Sequence, residues 1–201
     1  MFQLQIHSAA SPAPRGIVEA MFRLRYRLFV EKFKWQVAHR DGMEIDEFDA
    51  LPDCAHFIVS DENGIAGSTR LLPSTGPYLV EKFFPQAIAG GLPKDAAYWE
   101  VSRATVELDG WKGREFERTV SVQRELFASM YEWCLARDIT HLFGVADVRF
   151  RAVTQAFALP REPMGPIVKL PDCEIYAGLI FVSQPGLQAI RHSAIGRVAA
   201  E

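Results

Sequence analysis

Apolar and polar residues alternate at the start of the chain, and this pattern predicts a strand. Phe2, Leu4 and Ile6 occupy every second position, which is the period of a half-buried strand. Beyond two prolines, apolar residues recur at spacings of three and four, which predicts a helix with one buried stripe. The stripe consists of Ile17, Met21, Leu24 and Leu28.

Two apolar runs on either side of a turn signal predict a hairpin. Cys54–Ser60 and Ile65–Leu72 flank the sequence Asp-Glu-Asn-Gly. A further strand is predicted at Tyr98–Leu108, where Trp99 and Val101 share one face. Apolar periodicity and turn residues divide the rest of the chain into five elements and a tail. These are a long helix at Glu115–Arg137, a strand at His141–Ala146, a helix at Val148–Phe157, strands near Met164–Leu170 and Glu174–Ser183, and a C-terminal tail at 184–201.

This order of elements predicts an α/β (α+β) fold, with a mixed central sheet and helices on both faces, in a single domain over residues 1–201. The strand, long helix and strand of the second half form a right-handed crossover. The polar segment Lys32–Asp53 is too long for an ordinary connection, and its Trp35 and Phe48 argue against disorder. We therefore predict an ordered binding loop there.

Composition and charge exclude several classes of protein. With 49% hydrophobic and 23% charged residues, the chain is globular and not disordered. A net charge of -3 argues against wholesale nucleic-acid binding. The three cysteines lie far apart without metal-ligand spacing, which fits reduced thiols. The chain shows neither a secretory signal nor a run long enough to span a membrane, so we expect a cytoplasmic protein.

The candidate chemistry depends on charged residues, because the sequence contains no phosphate-binding glycine loop, no HExxH and no nucleophile elbow. The candidates are Arg25, Arg70, Arg103, Glu44, Asp46, Asp49 and Glu100. Each has an ordinary alternative: a strand arginine at an exposed edge, an outward-facing Glu100, or aspartates that cap a turn. Together they predict arginines that orient buried acids, with one carboxylate left as a base and others that bind an ammonium or sulfonium. A bulge in the strand would bring Glu100 and Arg103 to the same cleft.

These residues, in this order, resemble the acyl-homoserine-lactone synthases (LuxI-type autoinducer synthases). The family motif is an Arg four residues before a Phe, then a Trp, then Glu-x-Asp-x-x-Asp, a strand Arg, and Glu-x-x-Arg. It matches Arg25, Phe29, Trp35, Glu44, Asp46, Asp49, Arg70, Glu100 and Arg103 without a departure. The resemblance runs from about residue 15 to residue 150 and implies a fold similar to the GNAT acetyltransferases.

The resemblance also implies a two-step reaction. The amine of S-adenosylmethionine attacks an acyl thioester, and the methionine carboxylate then closes a lactone and expels methylthioadenosine. It implies Glu100, or else Glu44, as the base, with Arg70 and Arg103 beside it in the catalytic group. S-adenosylmethionine would be bound by Arg25, Phe29, Trp35, Asp46 and Asp49. It is a substrate, and neither a cofactor nor a metal is implied.

The acyl donor is implied to be an acyl carrier protein conjugate, although some members of the family use acyl-CoA. The acyl chain would lie against Phe143 and Gly144, and glycine at the latter position favours an unsubstituted chain. Because carrier proteins are acidic, a locally basic surface is expected to dock the donor. The candidates are Arg118, Arg124, Arg149 and Arg151, with ordinary exposed helix arginines as the alternative.

Two other functions compete with this one. An ordinary acetyltransferase would need a pyrophosphate loop before the main helix, and the only candidate, Gly110–Glu115, lacks its first and last required residues. A sensor that binds S-adenosylmethionine or an acyl ligand without turnover would have to explain a full set of catalytic residues. Replacing Glu100 by Gln separates these alternatives.

Overall fold

A computed structural model describes residues 2–107, 113–148, 161–171 and 173–193, except the side chains of 113–116 and 161. The chain divides into two compact units built from interleaved segments. The described residues of the first unit are 2–71, 103–107 and 113–129, and those of the second are 72–102, 130–148, 161–171 and 173–193. The strands and helices together form the mixed α/β fold that the sequence predicts.

The first unit contains antiparallel strands and the first helix. Its elements are β1 (Gln3–His7), α1 (Arg15–Tyr26), a π-helix (Arg27–Lys32), the short hairpin of β2 (His39–Arg40) and β3 (Met43–Glu44), a 3₁₀ helix (Glu47–Ala50), β4 (Ala55–Asp61) and β5 (Gly64–Pro73) as far as Leu71. Strand β4 pairs antiparallel with both β1 and β5. The buried stripe of α1 packs on this sheet, where Met21 and Leu24 contact Ile58 and Ile65.

The second unit combines parallel and antiparallel pairing. Its elements are α2 (Leu79–Phe83), a 3₁₀ helix (Pro85–Ala87), β7 (His141–Asp147), β8 (Arg161–Pro163), β9 (Val168–Lys169), β10 (Glu174–Phe181) and α4 (Gln184–His192). Strand β7 pairs antiparallel with β10, which also pairs with β8 and β9. Three of the described elements contribute to both units: β5, whose last two residues belong to the second, β6 (Tyr98–Val106), whose first residues pair parallel with β7, and α3 (Gly113–Leu135).

Two predictions near the C-terminus were wrong. The segment Met164–Leu170 forms a strand only at Val168–Lys169, because a proline interrupts it, and a short strand forms instead at Arg161–Pro163. The expected tail begins with a helix, since the Ser183 hydroxyl caps the helix N-terminus and a proline occupies its first turn. The predicted helix at Val148–Phe157 lies almost entirely outside the described residues. None of the helices in the described ranges has an apolar stretch that could cross a bilayer.

Candidate functional site

The last turn of α1 carries a buried arginine that binds two acids of the following loop. The Arg25 side chain is 1% exposed. Its Nη1 and Nη2 donate to the two carboxylate oxygens of Asp49, at 2.8 and 2.9 Å, and its Nε donates to Oε2 of Glu44. A bidentate guanidinium–carboxylate pair fixes both direction and distance. The helix and the loop are therefore joined through one side chain.

The spacing of the loop acids is that of a capping box around the 3₁₀ helix. The Asp46 side chain accepts a hydrogen bond from the Phe48 amide at 3.0 Å, and Asp49 Oδ2 accepts one from the Asp46 amide at 2.8 Å. This arrangement satisfies backbone donors that a short helix leaves unpaired. The turn-capping alternative from the sequence is thus correct, and the same two carboxylates also bind arginines.

Two strand arginines complete the network within the first unit. Arg70 Nη1, on β5, lies 2.5 Å from Asp46 Oδ1 and 2.8 Å from Asp49 Oδ1. Arg103, on β6, donates to Glu44 Oε1 at 3.0 Å, and its Nη2 lies 2.9 Å from Asp46 Oδ2. The backbone φ of Arg103 is 53°, a left-handed conformation that is unusual for arginine inside a strand and typical of a bulge. The backbone therefore departs from regular strand geometry at Arg103.

Three guanidinium groups and three carboxylates balance their charges in this cluster. Burial by itself would raise the pKa of Asp49, but hydrogen bonding from His56 and the charges of Arg25 and Arg70 hold it well below its ordinary value. Burial likewise opposes ionisation of Arg25 and Arg70, yet their acidic partners raise both pKa values. For Arg103, burial outweighs its acidic partners and lowers the pKa. Arg25, Arg70 and Asp49 therefore stay charged because opposite charges face each other.

An aromatic pair lies beside the charges. The rings of Phe29 and Trp35 stack at 5.1 Å with an interplanar angle of 11°, and the Arg103 guanidinium lies 5.8 Å from the Phe29 ring centre. Phe29 belongs to the π-helix that continues α1, so the four-residue spacing from Arg25 does not follow regular α-helical geometry. Both aromatic residues of the predicted motif thus lie at the network.

The second unit contains Glu100, the other acidic candidate. Its side chain is fully buried and accepts hydrogen bonds from the backbone amides of Leu79 and Val80, at 3.1 and 2.6 Å. Those amides open helix α2, where unpaired N–H groups favour an anion. The predicted acyl-pocket residues belong to the same unit. Phe143 packs edge-to-face on Tyr78, with ring centres 5.3 Å apart, and Gly144 lies against Val101.

The residues predicted to dock a carrier protein are only partly described. Arg118 forms ion pairs with Asp61, at 2.8 Å between Nη2 and Oδ2, and is mostly buried. Arg124 lies on α3, and Arg149 and Arg151 lie outside the described residues. Because Arg118 is already paired with an acid of its own unit, its charge is less available to bind an acidic carrier protein.

Comparison with known proteins identifies the family. Residues 13–186 match the family model described as autoinducer synthase. The chain belongs to the autoinducer synthase family. An acyl-homoserine-lactone synthase from Rhizobium radiobacter is 30% identical over 162 residues, which cover 80% of this chain and 76% of that one.

Two solved structures resemble this synthase over nearly its whole length. One is a CoA-dependent acyl-homoserine lactone synthase, BjaI, with SAM and isopentyl-CoA, at a TM-score of 0.82 and 25% identity, covering 98% of this chain and 90% of that one. The other is TofI in a ternary complex with an inhibitor and MTA, at a TM-score of 0.79 and 29% identity, covering 94% and 96%. The expected GNAT-like fold and acyltransferase class are confirmed.

One residue that contacts the network of this synthase was missed in the sequence. His56, on β4, is 2% exposed, and its Nε2 lies 2.9 Å from Asp49 Oδ1. The sequence of its apolar strand does not identify His56 as a site residue, because its position beside the network depends on how β4 pairs with β5. Its neighbour Cys54 is also buried, and burial raises the pKa of that thiol to about 12.

A carboxylate, a thiol and an imidazole come together here, but they do not form a convincing metal site. The ligand atoms of Asp49, Cys54 and His56 lie within 4.8 Å of one another. Asp49 Oδ1 already accepts hydrogen bonds from Arg25, Arg70 and His56. A thiol with so high a pKa stays protonated at neutral pH, and a metal ion would face two buried guanidinium groups. We therefore assign these residues to the hydrogen-bonded network.

Proposed function

We propose that this autoinducer synthase transfers an acyl group from an acyl thioester to the α-amine of S-adenosylmethionine and then closes the product to an acyl-homoserine lactone. The observation that carries the proposal is the buried network of three arginines and three acids in the first unit. Such a dense set of ionised side chains is expensive to bury and is typical of a site for a charged ligand.

The network suits a ligand that carries an ammonium, a carboxylate and a sulfonium group. Arg103 is the most exposed of the three arginines, at 14%, and is the one best placed to meet a carboxylate. Asp46 Oδ2 is buried without a well-aligned hydrogen-bond donor among the described residues, although it lies close to Arg103. An incoming ammonium or sulfonium would meet that acceptor. Phe29 and Trp35 supply ring faces for an adenine and for cationic sulfur.

The amine must lose a proton before it attacks the thioester, so the reaction needs a base. Each oxygen of Glu44 is already bound by an arginine, Oε2 by Arg25 and Oε1 by Arg103. The oxygens of Glu100 instead accept the neutral backbone amides of Leu79 and Val80, which hold a carboxylate less tightly than guanidinium groups do. This favours Glu100 over Glu44 as the base, acting directly or through a water. Attack forms the amide C–N bond and breaks the thioester C–S bond, and the thiol leaves with a proton. The methionine carboxylate then attacks its own γ-carbon and expels methylthioadenosine.

The donor and the location follow from this chemistry. An acyl carrier protein conjugate or acyl-CoA supplies the acyl group, and both donors and S-adenosylmethionine are cytoplasmic compounds, so we place the reaction in the cytoplasm. Phe143 and Gly144 would contact the acyl chain. Of the predicted basic docking residues, Arg124 lies on α3, and Arg124→Glu tests whether its charge contributes to binding a carrier protein.

The test is mass spectrometry of the purified protein with S-adenosylmethionine and a panel of carrier-protein and CoA thioesters. We expect an acyl-homoserine lactone to appear in step with methylthioadenosine. Glu100→Gln should abolish turnover while S-adenosylmethionine still binds, and Asp53→Asn, an exposed carboxylate in the same loop, should change neither. Binding without product for every thioester would refute the transferase and leave the sensor alternative. Full activity in Glu100→Gln would refute the role of that residue.

A further inference from the structure

His56 faces two polar residues across the sheet of the first unit. In the register of the antiparallel strands, His56 lies opposite His7 of β1 and opposite Arg70 of β5. Directly opposed residues on neighbouring strands have their side chains on the same face and in contact range. Strand pairing therefore sets the imidazole beside an arginine of the network, at a position where an apolar side chain would be ordinary.

The imidazole ring is oriented by neighbours that take no part in the network of charges. His7 stacks on it with ring centres 5.7 Å apart, and Phe22 of α1 packs its edge against it at 6.0 Å. The sulfur of Cys54 lies 3.7 Å from Nε2. These contacts come from a strand, a helix and the segment before β4, so the ring has packing partners besides Asp49.

Asp49 is the carboxylate on which the network converges. Its Oδ1 accepts from Arg25 and Arg70, each at 2.8 Å, and from His56 at 2.9 Å. Because the carboxylate is ionised, the imidazole must be the donor, with its proton on Nε2. Burial keeps the imidazole neutral by lowering its pKa, although the carboxylate opposes that effect. His56 thus adds a directional hydrogen bond to Asp49 without adding a positive charge to those of Arg25 and Arg70.

We propose that His56 is a positioning residue for the S-adenosylmethionine site: its Nε2–H donates to Asp49 Oδ1 and holds that carboxylate where Arg25 and Arg70 can both bind it. The identity of the substrate in this inference rests on the proposed function, whereas the hydrogen bond rests on the geometry alone. It predicts that losing the donor weakens S-adenosylmethionine binding and leaves the thioester step largely unaffected.

The experiment compares two variants of His56 and one of His7 by steady-state kinetics. His56→Leu removes the donor, and because a hydrogen bond to a charged group is at stake, the KM for S-adenosylmethionine should rise about tenfold or more. The KM for the thioester, and kcat at saturating S-adenosylmethionine, should stay within about twofold. His56→Gln, which keeps an N–H donor, should recover most of the loss. His7→Phe keeps the ring stack without a contact to Asp49 and serves as the matched control.

A cavity beside the ring allows a second test. It has a volume of about 210 Å³ and is lined in part by His7, Leu51, Cys54 and His56. The cavity already reaches Asp49, and in His56→Ala it would enlarge where the ring is lost, so added imidazole should lower the KM for S-adenosylmethionine again. A purely structural role would not predict this rescue. Unchanged kinetics in His56→Leu, or an equal loss in the Leu and Gln variants without imidazole rescue, would overturn the inference.

The hydrogen bond has a readout independent of turnover. Nitrogen-15 NMR of the parent protein should show the His56 proton on Nε2, and Asp49→Asn should shift that resonance. If the parent protein turns over no thioester but shows this signal, the proposed function fails and the positioning contact stands. A proton on Nδ1 would overturn the contact itself.

Discussion

Replacing Gly144 by Ala should destabilise the protein through a backbone collision. A Cβ added at this position would lie 2.3 Å from the carbonyl oxygen of Val101, about 1.1 Å short of the 3.4 Å at which ordinary contact begins. The nearest neighbour is a backbone atom of the adjacent strand β6, so rotation of a side chain cannot relieve the collision. Overpacking of this kind costs about 1–3 kcal/mol. Urea unfolding should report that loss, equivalent to roughly 2–4 °C in Tm per kcal/mol for a chain of this size.

The opposite glycine supplies the control. Gly178 of β10 pairs with Gly144 across the antiparallel ladder, and among the described residues a Cβ there would meet a Tyr176 ring carbon at 3.6 Å and nothing nearer. Gly178→Ala should therefore be neutral or slightly stabilising, since alanine restricts the unfolded chain by about 0.4–1 kcal/mol. If Gly144→Ala is as stable as Gly178→Ala, the steric reasoning is wrong. In that case a choice of acyl chain, and not close packing, would be the better reason for glycine at position 144.

Three further predictions concern buried ionisable groups. Asp49→Asn should cost about 3–5 kcal/mol in urea unfolding because it removes one of the two acidic partners of both Arg25 and Arg70 and leaves a buried positive charge unbalanced. Exposed Asp53→Asn should stay within about 0.5 kcal/mol, and equal effects would contradict the hub role of Asp49. Because burial lowers the pKa of His56, the unfolded chain binds a proton on this residue at a higher pH than the folded chain does, so the free energy of unfolding falls as the pH drops below about 6.5. In His56→Gln the dependence of that free energy on pH should be flatter by up to about 1.4 kcal/mol per pH unit. The same pH dependence in the variant and the parent protein would contradict this prediction. Cys54 is buried and its pKa is raised to about 12, so it should react with a thiol reagent at pH 7.5 far more slowly than half-buried Cys173. Cys54→Ser and Cys173→Ser variants assign the two rates. Equal rates would show that the Cys54 thiol is accessible and ionised.

Much of the fold follows from local patterns. The hairpin of β4 and β5 and the long helix α3 have clear periodicity and turn residues, and the structure contains both. Helix α4 was missed although Ser183 and the following Pro are a recognisable start signal, because its nine residues bury few side chains. The π-helix after Tyr26 is not visible in the apolar spacing, since Leu24 and Leu28 fit a regular helix equally well.

The site could be predicted only where its residues are charged or follow a motif. The arginines and acids were identified as one group, and the structure brings six of them together in the first unit. His56 escaped because its role depends on the register that places it opposite Arg70, and register is a tertiary property. The strained backbone of Arg103 was anticipated only as a possible bulge, since its left-handed φ depends on neighbours far away in the chain.

The six charges of the network also constrain how such a protein can change over evolutionary time. Each arginine contacts two acids and each acid contacts two arginines, so a single neutral substitution leaves one buried charge unbalanced. A lineage would have to exchange several members at nearly the same time to remain stable. When sequences that diverged from a common ancestor are compared, these six positions should therefore be retained together or replaced together.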